Sequence, residues 1–163
     1  MSSCYNLAMI KQFLSQSNQI EGVTDSDSLK QALKAWDYII AQDSLTPEVV
    51  LKTHGILMLN QDLAPEEKGQ FRKHEVRIGS SYGALYIVVP QRMTVWCFRA
   101  NEKKTAEKIK RDHVLFEKIH PFIDGNGRMG RILLNWQRIK NGLPILVIKN
   151  SEKQDYYTWF ETT

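Results

Sequence analysis

Apolar residues recur at helical spacing along most of this 163-residue chain, and that period restricts the folds it can adopt. Leu29, Leu33 and Trp36, for example, fall on one face of a helix. A mainly α fold in one domain, residues 1–163, is therefore expected. The same pattern predicts helices over residues 5–20, 28–42, 46–60, 101–119 and 128–141, and the start of another over 153–160.

Residues 76–90 interrupt the helical pattern. Apolar residues alternate there with charged or small ones, first at Val76 and Ile78 and again from Leu85 to Val89. A Ser-Ser-Tyr-Gly run between the two stretches supplies turn chemistry. The segment predicts a β-hairpin over 76–90, which is too small to organise a sheet fold.

Residues 120–131 read His-Pro-Phe-Ile-Asp-Gly-Asn-Gly-Arg-Met-Gly-Arg, directly before a helical pattern. Glycines at a helix start let backbone N–H groups approach a phosphate closely. Arg128 and Arg131 share one face of the first turns, where two cations are unfavourable unless an anion binds. Asp124 offers a carboxylate for a hard cation, and His120 offers a base. The run predicts a triphosphate site.

Other interpretations of this run are weaker. A tight turn between two helices explains the Asp-Gly-Asn-Gly stretch but not the histidine before it or the arginines after it. The glycines also fit the dinucleotide-binding fingerprint, which needs a preceding strand and a βαβ unit that this chain lacks. No Gly-Lys-Ser/Thr of a Walker-type loop occurs.

The run resembles the signature of Fic-domain proteins, His-Pro-Phe-x-Asp/Glu-Gly-Asn-Gly-Arg-x-x-Arg, at every specified position. The stretch Gly69–Arg72, followed by Val76–Ile78, resembles the family's segment leading into its flap. The similarity covers most of the chain. It implies the Fic fold, a helical bundle with a β-hairpin flap beside the active-site loop 120–131.

The resemblance also implies an activity. Typical Fic enzymes are protein adenylyltransferases, which transfer AMP from ATP to a Ser, Thr or Tyr hydroxyl of a target protein and release pyrophosphate. The target docks on the flap by main-chain pairing. In these roles His120 is the general base, and Asp124 holds Mg²⁺ that bridges the α- and β-phosphates.

The remaining positions of the resemblance are nucleotide ligands. Backbone N–H groups of the Gly-Asn-Gly stretch form the anion hole, the asparagine side chain contacts the α-phosphate, and the arginines hold the outer phosphates. A core aromatic is an equally good interpretation of the residue placed near adenine. These ligands are Gly125, Asn126, Gly127, Arg128, Arg131 and, near adenine, Tyr157.

Ser17–Gly22 fits Ser/Thr-x-x-x-Glu-Gly/Asn, the inhibitory motif of Fic proteins. The resemblance implies that residues 1–22 form an inhibitory helix. Ser17 and Glu21 lie one turn apart, so Glu21 can pair with Arg131 and keep it from the γ-phosphate. A plain helix end with a glycine stop, and removal of AMP through the same glutamate, both remain open.

Composition limits the partners and the cellular compartment expected for this chain. The net charge is +4, and the cations are scattered among acids, so nucleic-acid binding is disfavoured. Two cysteines, Cys4 and Cys97, give no disulfide framework. No leader or membrane span is evident, which predicts a cytoplasmic protein. Transfer of another phosphate-containing group, a non-catalytic nucleotide-binding module and a homo-oligomer remain open, as does the identity of the target.

Overall fold

Seven α-helices and one small hairpin make up residues 6–161, the part of the chain that this computed structural model describes. The predicted mainly α class is confirmed. Cys4 lies outside the described residues. In chain order the elements are α1 (Leu7–Ile20), α2 (Ser26–Ile40), α3 (Pro47–Leu57), β1 (Arg77–Ile78), β2 (Ser81–Tyr82), α4 (Val89–Ala100), α5 (Ala106–Ile119), α6 (Asn126–Lys140) and α7 (Lys153–Tyr157).

The helix starts follow from side-chain capping. Asp25 accepts a hydrogen bond from the backbone N–H of Ser28 at 2.7 Å, at the start of α2. Thr46 caps α3 by accepting from the N–H of Val49, and a proline follows at the first helical position. These local contacts explain why α2 and α3 begin where they do.

The core forms around α6, which contacts α1, α2 and α5. The ring of Phe13 on α1 packs edge-on against Trp36 of α2, with ring centroids 5.5 Å apart. Trp136 of α6 lies in the same cluster and donates a hydrogen bond to the carbonyl of Ile39 at 3.1 Å. Because α6 is buried against three other helices, its N-terminal end, where the loop over residues 120–131 enters the helix, is held in place.

The predicted hairpin over 76–90 is too long. Only two residue pairs form, Arg77 with Tyr82 and Ile78 with Ser81, so the turn falls earlier than expected. Residues 86–88 form a 3₁₀ turn instead of a second strand, because a proline after Val89 favours a helix start there.

The predicted helix over 101–119 begins too early, although its end is right, and α4 was not predicted. The chain forms α4 up to Ala100, breaks, and then starts α5 after the capping residue Thr105. Asn101, between them, bonds both backbone groups of Leu45 through its side-chain amide. None of the helices among residues 6–161 has both the length and the apolar character needed to cross a bilayer.

Candidate active site

The loop of the Fic-like run joins α5 to α6. His120 directly follows α5 and adopts a left-handed backbone conformation, with φ 49° and ψ 64°, which is unusual for a residue with a side chain. Gly125 also has a positive φ, 84°, and precedes the first turn of α6. The two left-handed residues turn the chain so that His120 and the start of α6 line the same small cavity.

Arg72 holds this unusual backbone in place. Its buried guanidinium donates to the carbonyl of His120 at 2.6 Å, to that of Ile119 at 3.1 Å and to that of Ala84 beyond the hairpin. One side chain therefore ties the end of α5 to the base of the hairpin. The sequence showed this residue only as part of a resemblance, and its bracing role was not predicted.

His54, in α3, supports the loop from beneath. Its Nδ1 accepts from the N–H of Gly69 at 2.9 Å, so its Nε2 carries the proton and donates to the carbonyl of Asp124, also at 2.9 Å. The ring stacks on Phe122 with centroids 3.7 Å apart. Burial lowers the pKa of His54 to about 4, which keeps it neutral. No sequence motif surrounds His54, and its role was missed.

The side chain of Asn126 has a different role from the one predicted. Its amide oxygen accepts from the N–H of Phe122 at 2.9 Å, and its amide nitrogen donates to the carbonyl of Phe122 at 2.8 Å. The group is buried, and it closes the loop on itself. This geometry does not present the amide to a phosphate, so the contribution of Asn126 to an anion site falls to its backbone N–H.

The start of α6 is the anion-binding part of the site. No described side chain caps this helix, so the N–H groups of Asn126, Gly127 and Arg128 point out of its first turn without a capping partner. The N–H of Gly125 was predicted to belong to the anion hole, but here it donates to the carboxylate of Asp124 at 2.7 Å. A cavity of about 110 Å³ lies beside these groups.

Arg128 is buried in the same region with an unfilled donor. Its Nη1 donates to Gln61 at 3.2 Å, and its Nη2 lies 3.8 Å from the Asp124 carboxylate. Its Nε has no hydrogen-bond partner among the described residues. A buried cation with an open donor beside an uncapped helix start fits a polyanion.

Arg131 is the second buried cation, and α1 occupies it. Its Nε donates to the hydroxyl of Ser17 at 2.8 Å, and its Nη2 donates to the carbonyl of Ser17 at 3.0 Å and to the carboxylate of Glu21 at 2.6 Å. The Glu21 carboxylate also lies against Gly127, where an added side-chain carbon would collide with it. The structure thus brings the predicted residues Ser17, Glu21 and Arg131 together.

His120 has one ring nitrogen, Nε2, without a hydrogen bond to any residue in 6–161. Its Nδ1 lies 3.2 Å from the backbone carbonyl of Glu117, an acceptor, so Nδ1 carries the proton and Nε2 is left as a base. Burial lowers the pKa of His120, which favours the neutral ring. His120 lines the same cleft as Glu21 and Arg131.

Glu117 is an acidic residue of the cleft that the sequence did not single out. One of its oxygens, Oε1, is buried without a hydrogen-bond partner among the described residues, and the other lies 3.9 Å from His120 Nδ1. Burial raises the pKa of Glu117 to about 7, against the lowering effect of the Arg131 charge. The carboxyl therefore titrates near neutral pH.

The cleft, of about 890 Å³, runs from the α6 start to the hairpin and to α7. Tyr157 lies on its wall, partly exposed, and its predicted role near adenine stays a prediction. Tyr156 is buried beside it, and its hydroxyl donates to Nε2 of His113 at 2.7 Å, while Nδ1 of His113 donates to the carbonyl of Gly130. His113 is a structural residue, as interpreted from the sequence.

Asp124 is the candidate metal ligand. Its side chain is 59% exposed beside the cavity at the α6 start. Among residues 6–161, no three His, Cys, Asp or Glu side chains gather as a metal-binding group. One exposed carboxylate does fit Mg²⁺, which proteins often hold through one or two carboxylates together with substrate phosphates.

Comparison with known proteins gives the same family at the level of sequence. Residues 44–137 match the family model described as Fic/DOC family. The chain is 46% identical over 91 residues to a probable protein adenylyltransferase from Aquifex aeolicus, covering 53% of this chain and 28% of that protein. It is 30% identical over 119 residues to the protein adenylyltransferase Fic of Drosophila mojavensis, covering 69% and 23%.

The chain therefore spans about a quarter of the length of these two relatives. Among solved structures, a Fic domain containing signaling protein from Bacteroides thetaiotaomicron has a TM-score of 0.78 at 20% identity. The match covers 93% of this chain and 70% of that one. At this identity the likeness concerns the fold, which matches in its helices and its small hairpin.

Proposed function

The chain belongs to the Fic/DOC family, and on that premise we propose that it transfers AMP from ATP to a hydroxyl group of a protein. The observation that carries this proposal is the α6 start. Its uncapped N–H groups and the open Nε of Arg128 lie in one region with the free base of His120. Adenylyltransferase relatives support the same reaction.

The reaction needs a base and an anion hole in fixed positions. Nε2 of His120 takes the proton of the target hydroxyl while its oxygen forms a bond to the α-phosphorus of ATP. The bond from that phosphorus to the β-phosphate oxygen breaks, and pyrophosphate leaves. The N–H groups of Asn126 and Gly127 stabilise the charge on the α-phosphate oxygens, and Arg128 binds the outer phosphates.

Asp124 is the residue that would hold Mg²⁺ in this reaction. Bound Mg²⁺ neutralises charge on the phosphate oxygens. The exposed carboxylate of Asp124 accepts the N–H of Gly125 through one oxygen, its other oxygen lies 3.8 Å from Arg128 Nη2, and the residue lines the cavity at the α6 start. Asp124 would therefore be the protein ligand that holds Mg²⁺ beside the phosphates.

We further propose that α1 inhibits the site in cis. Ser17 and Glu21 occupy the guanidinium of Arg131 with three hydrogen bonds, including a charge-assisted one at 2.6 Å. While these bonds persist, Arg131 is not available to orient the γ-phosphate. The Glu21 carboxylate beside Gly127 also adds negative charge where phosphate would bind.

Release of this inhibition is expected to be local. Phe13 and Leu14 of α1 are almost fully buried in the main core, so removing the whole helix would expose large apolar side chains. Glu21 follows the last residue of α1, and its side chain is 35% exposed. Rotation of this one side chain removes the carboxylate that pairs with Arg131, leaves the two hydrogen bonds of Arg131 to Ser17 in place, and does not disturb the core.

The test uses labelled nucleotides and three variants. Parent protein, Glu21→Gly and Glu102→Gly are each incubated with Mg²⁺ and labelled ATP, GTP, CTP or UTP, and label in protein is followed. We expect Glu21→Gly to label itself or added target protein from ATP at least about tenfold faster than the parent. The control position Glu102 is exposed in the α4–α5 turn, and its change should have no effect.

Adding His120→Ala to Glu21→Gly separates catalysis from binding. The double variant should lose at least about 100-fold in transfer while it still binds Mg²⁺–ATP. Continued transfer by the double variant would show that His120 is not the general base. If Glu21→Gly and the parent transferred AMP equally fast, α1 would not be inhibitory, and the transferase proposal would be unaffected.

A further inference from the structure

The mouth of the large cleft is positively charged. Arg77 on β1, Arg92 in the first turns of α4 and Lys118 near the end of α5 all line it, and all three are exposed. Its acidic lining residues, Glu21 and Glu117, interact electrostatically with Arg131. The hairpin end of the cleft therefore presents cations to whatever enters it.

Two of these cations lack acidic partners. Arg77 stacks over the ring of Tyr82 at 5.4 Å and forms no ion pair within residues 6–161, and Arg92 forms neither an ion pair nor a hydrogen bond with any described side chain. Some exposed cations elsewhere pair within one helical turn, as Lys30 does with Asp27 and Arg111 with Glu107.

The phosphate site does not account for these cations. The cavity beside the α6 start is lined by Arg128 and by neither Arg77 nor Arg92. Arg128 and Arg131 already supply two buried guanidinium groups to a triphosphate there. Arg77, on β1, and Arg92, on α4, are exposed and line the larger cleft together with His120. In the proposed reaction a target hydroxyl has to reach His120 in this cleft.

We propose that the protein selects target segments in which acidic residues flank the modified hydroxyl. This inference rests on the proposed transferase function and adds a substrate class to it. An aspartate or glutamate beside the hydroxyl would pair with Arg77 or Arg92, whereas a lysine there would meet like charge. The exposed apolar residues of the same region, Tyr82, Leu85 and Ile87, supply contact area for the intervening side chains.

The test is a competition among peptides. Glu21→Gly protein is given Mg²⁺, labelled ATP and equal amounts of 11-residue peptides with one central Ser, Thr or Tyr, flanked by Asp/Glu, by Asn/Gln or by Lys. We expect the acidic set to be labelled about fivefold faster than the neutral set and the Lys set slowest. The preference should shrink at high salt.

Charge reversal identifies the residues responsible. Arg77→Glu with Arg92→Glu, in the Glu21→Gly background, should invert the order so that the Lys set is labelled faster than the acidic set. The matched control is Arg99→Glu, an exposed change on α4 outside the cleft, which should keep the acidic preference. The KM for ATP should stay within about twofold in every variant.

Each outcome decides one proposal. Equal labelling of the three sets, an unchanged order after charge reversal, or self-labelling without label in any peptide would overturn the acidic-target inference. A raised KM for ATP with unchanged peptide order would overturn it too, because the cations would then serve the nucleotide. Absence of label from peptides and from the protein itself would instead contradict the transferase function.

Discussion

The loop over residues 120–131 and the hairpin over 77–82 face the same cleft but are built in opposite ways. The loop is held by buried polar side chains, Arg72, His54 and Asn126, each with defined partners. The hairpin consists of two residue pairs, and Tyr82 on it is 65% exposed. Firm support therefore lies beneath His120 and the α6 start, and a lightly supported surface lies at the hairpin, where the proposed function places a target.

This difference has a physical basis. An in-line displacement depends on positions within a fraction of an ångström, so the groups that support His120 must have few alternatives. A docking surface gains from freedom to adapt, and a two-pair hairpin has little energy of its own to resist adjustment. Substitutions on the two sides should therefore differ in their cost to stability.

The largest effect is expected for Arg72→Met. Met fills part of the same space but leaves the carbonyls of Ala84, Ile119 and His120 without their donor. We expect the free energy of unfolding to fall by about 4 kcal/mol in urea titrations. Arg99→Met, an exposed change, is the control and should cost less than about 0.5 kcal/mol. A similar cost for both variants would show that Arg72 does not brace the loop.

Glu117→Gln comes next and has a definite pH dependence. The pKa of Glu117 in the folded protein is raised by burial to about 7, from 4.5. Below pH 4.5 the carboxyl is protonated in both folded and unfolded chains, so Gln should make little difference. As pH rises from 4.5 to 7 only the unfolded chain loses the proton, and the parent loses up to about 3 kcal/mol that Gln does not.

Thermal melts of both proteins between pH 4 and pH 8.5 measure this difference. The variant should have the higher Tm above pH 7, and the two curves should converge toward pH 4. A Tm difference that stays constant across the range would show that Glu117 does not titrate near neutral pH in the folded protein.

Asn126→Ala should have a smaller but clear effect. The change removes both hydrogen bonds that close the loop on Phe122 and leaves its buried N–H unpaired. We expect a loss of about 2 kcal/mol in denaturant titrations. Transfer activity in the Glu21→Gly background should fall as well, since His120 and the α6 start would lose their fixed separation. Full activity with full stability would contradict the bracing role.

The smallest effect on stability is expected at the hairpin. Leu85→Ser replaces a side chain that is 60% exposed just after β2. It should change the free energy of unfolding by less than about 0.5 kcal/mol, because little apolar area leaves the core. Self-labelling and peptide labelling in the Glu21→Gly background show whether this stable variant still handles targets. A cost above about 1.5 kcal/mol would mean that the hairpin is as firmly built as the loop.

Much of the fold was readable from the chain because its signals are local. Asp25 and Thr46 start helices through contacts three residues away, and Gly142 follows the end of α6 as a stop signal predicts. The end of the hairpin was predicted wrongly because alternating apolar residues over such a short stretch fit a strand and a 3₁₀ turn equally well. The start of α5 was predicted too early because Asn101, in the break before it, is held by Leu45, 56 residues away in the sequence.

The sequence alone determined the helical class, and it picked out the run over 120–131 and the chemistry that its residue types permit, since these follow from spacing and from side-chain identity. Only the tertiary structure decided that His54 and Arg72 support the loop, that Asn126 faces Phe122, and that Glu117 is buried with an open oxygen. These roles depend on desolvation and on partners up to 70 residues away, which no local pattern encodes.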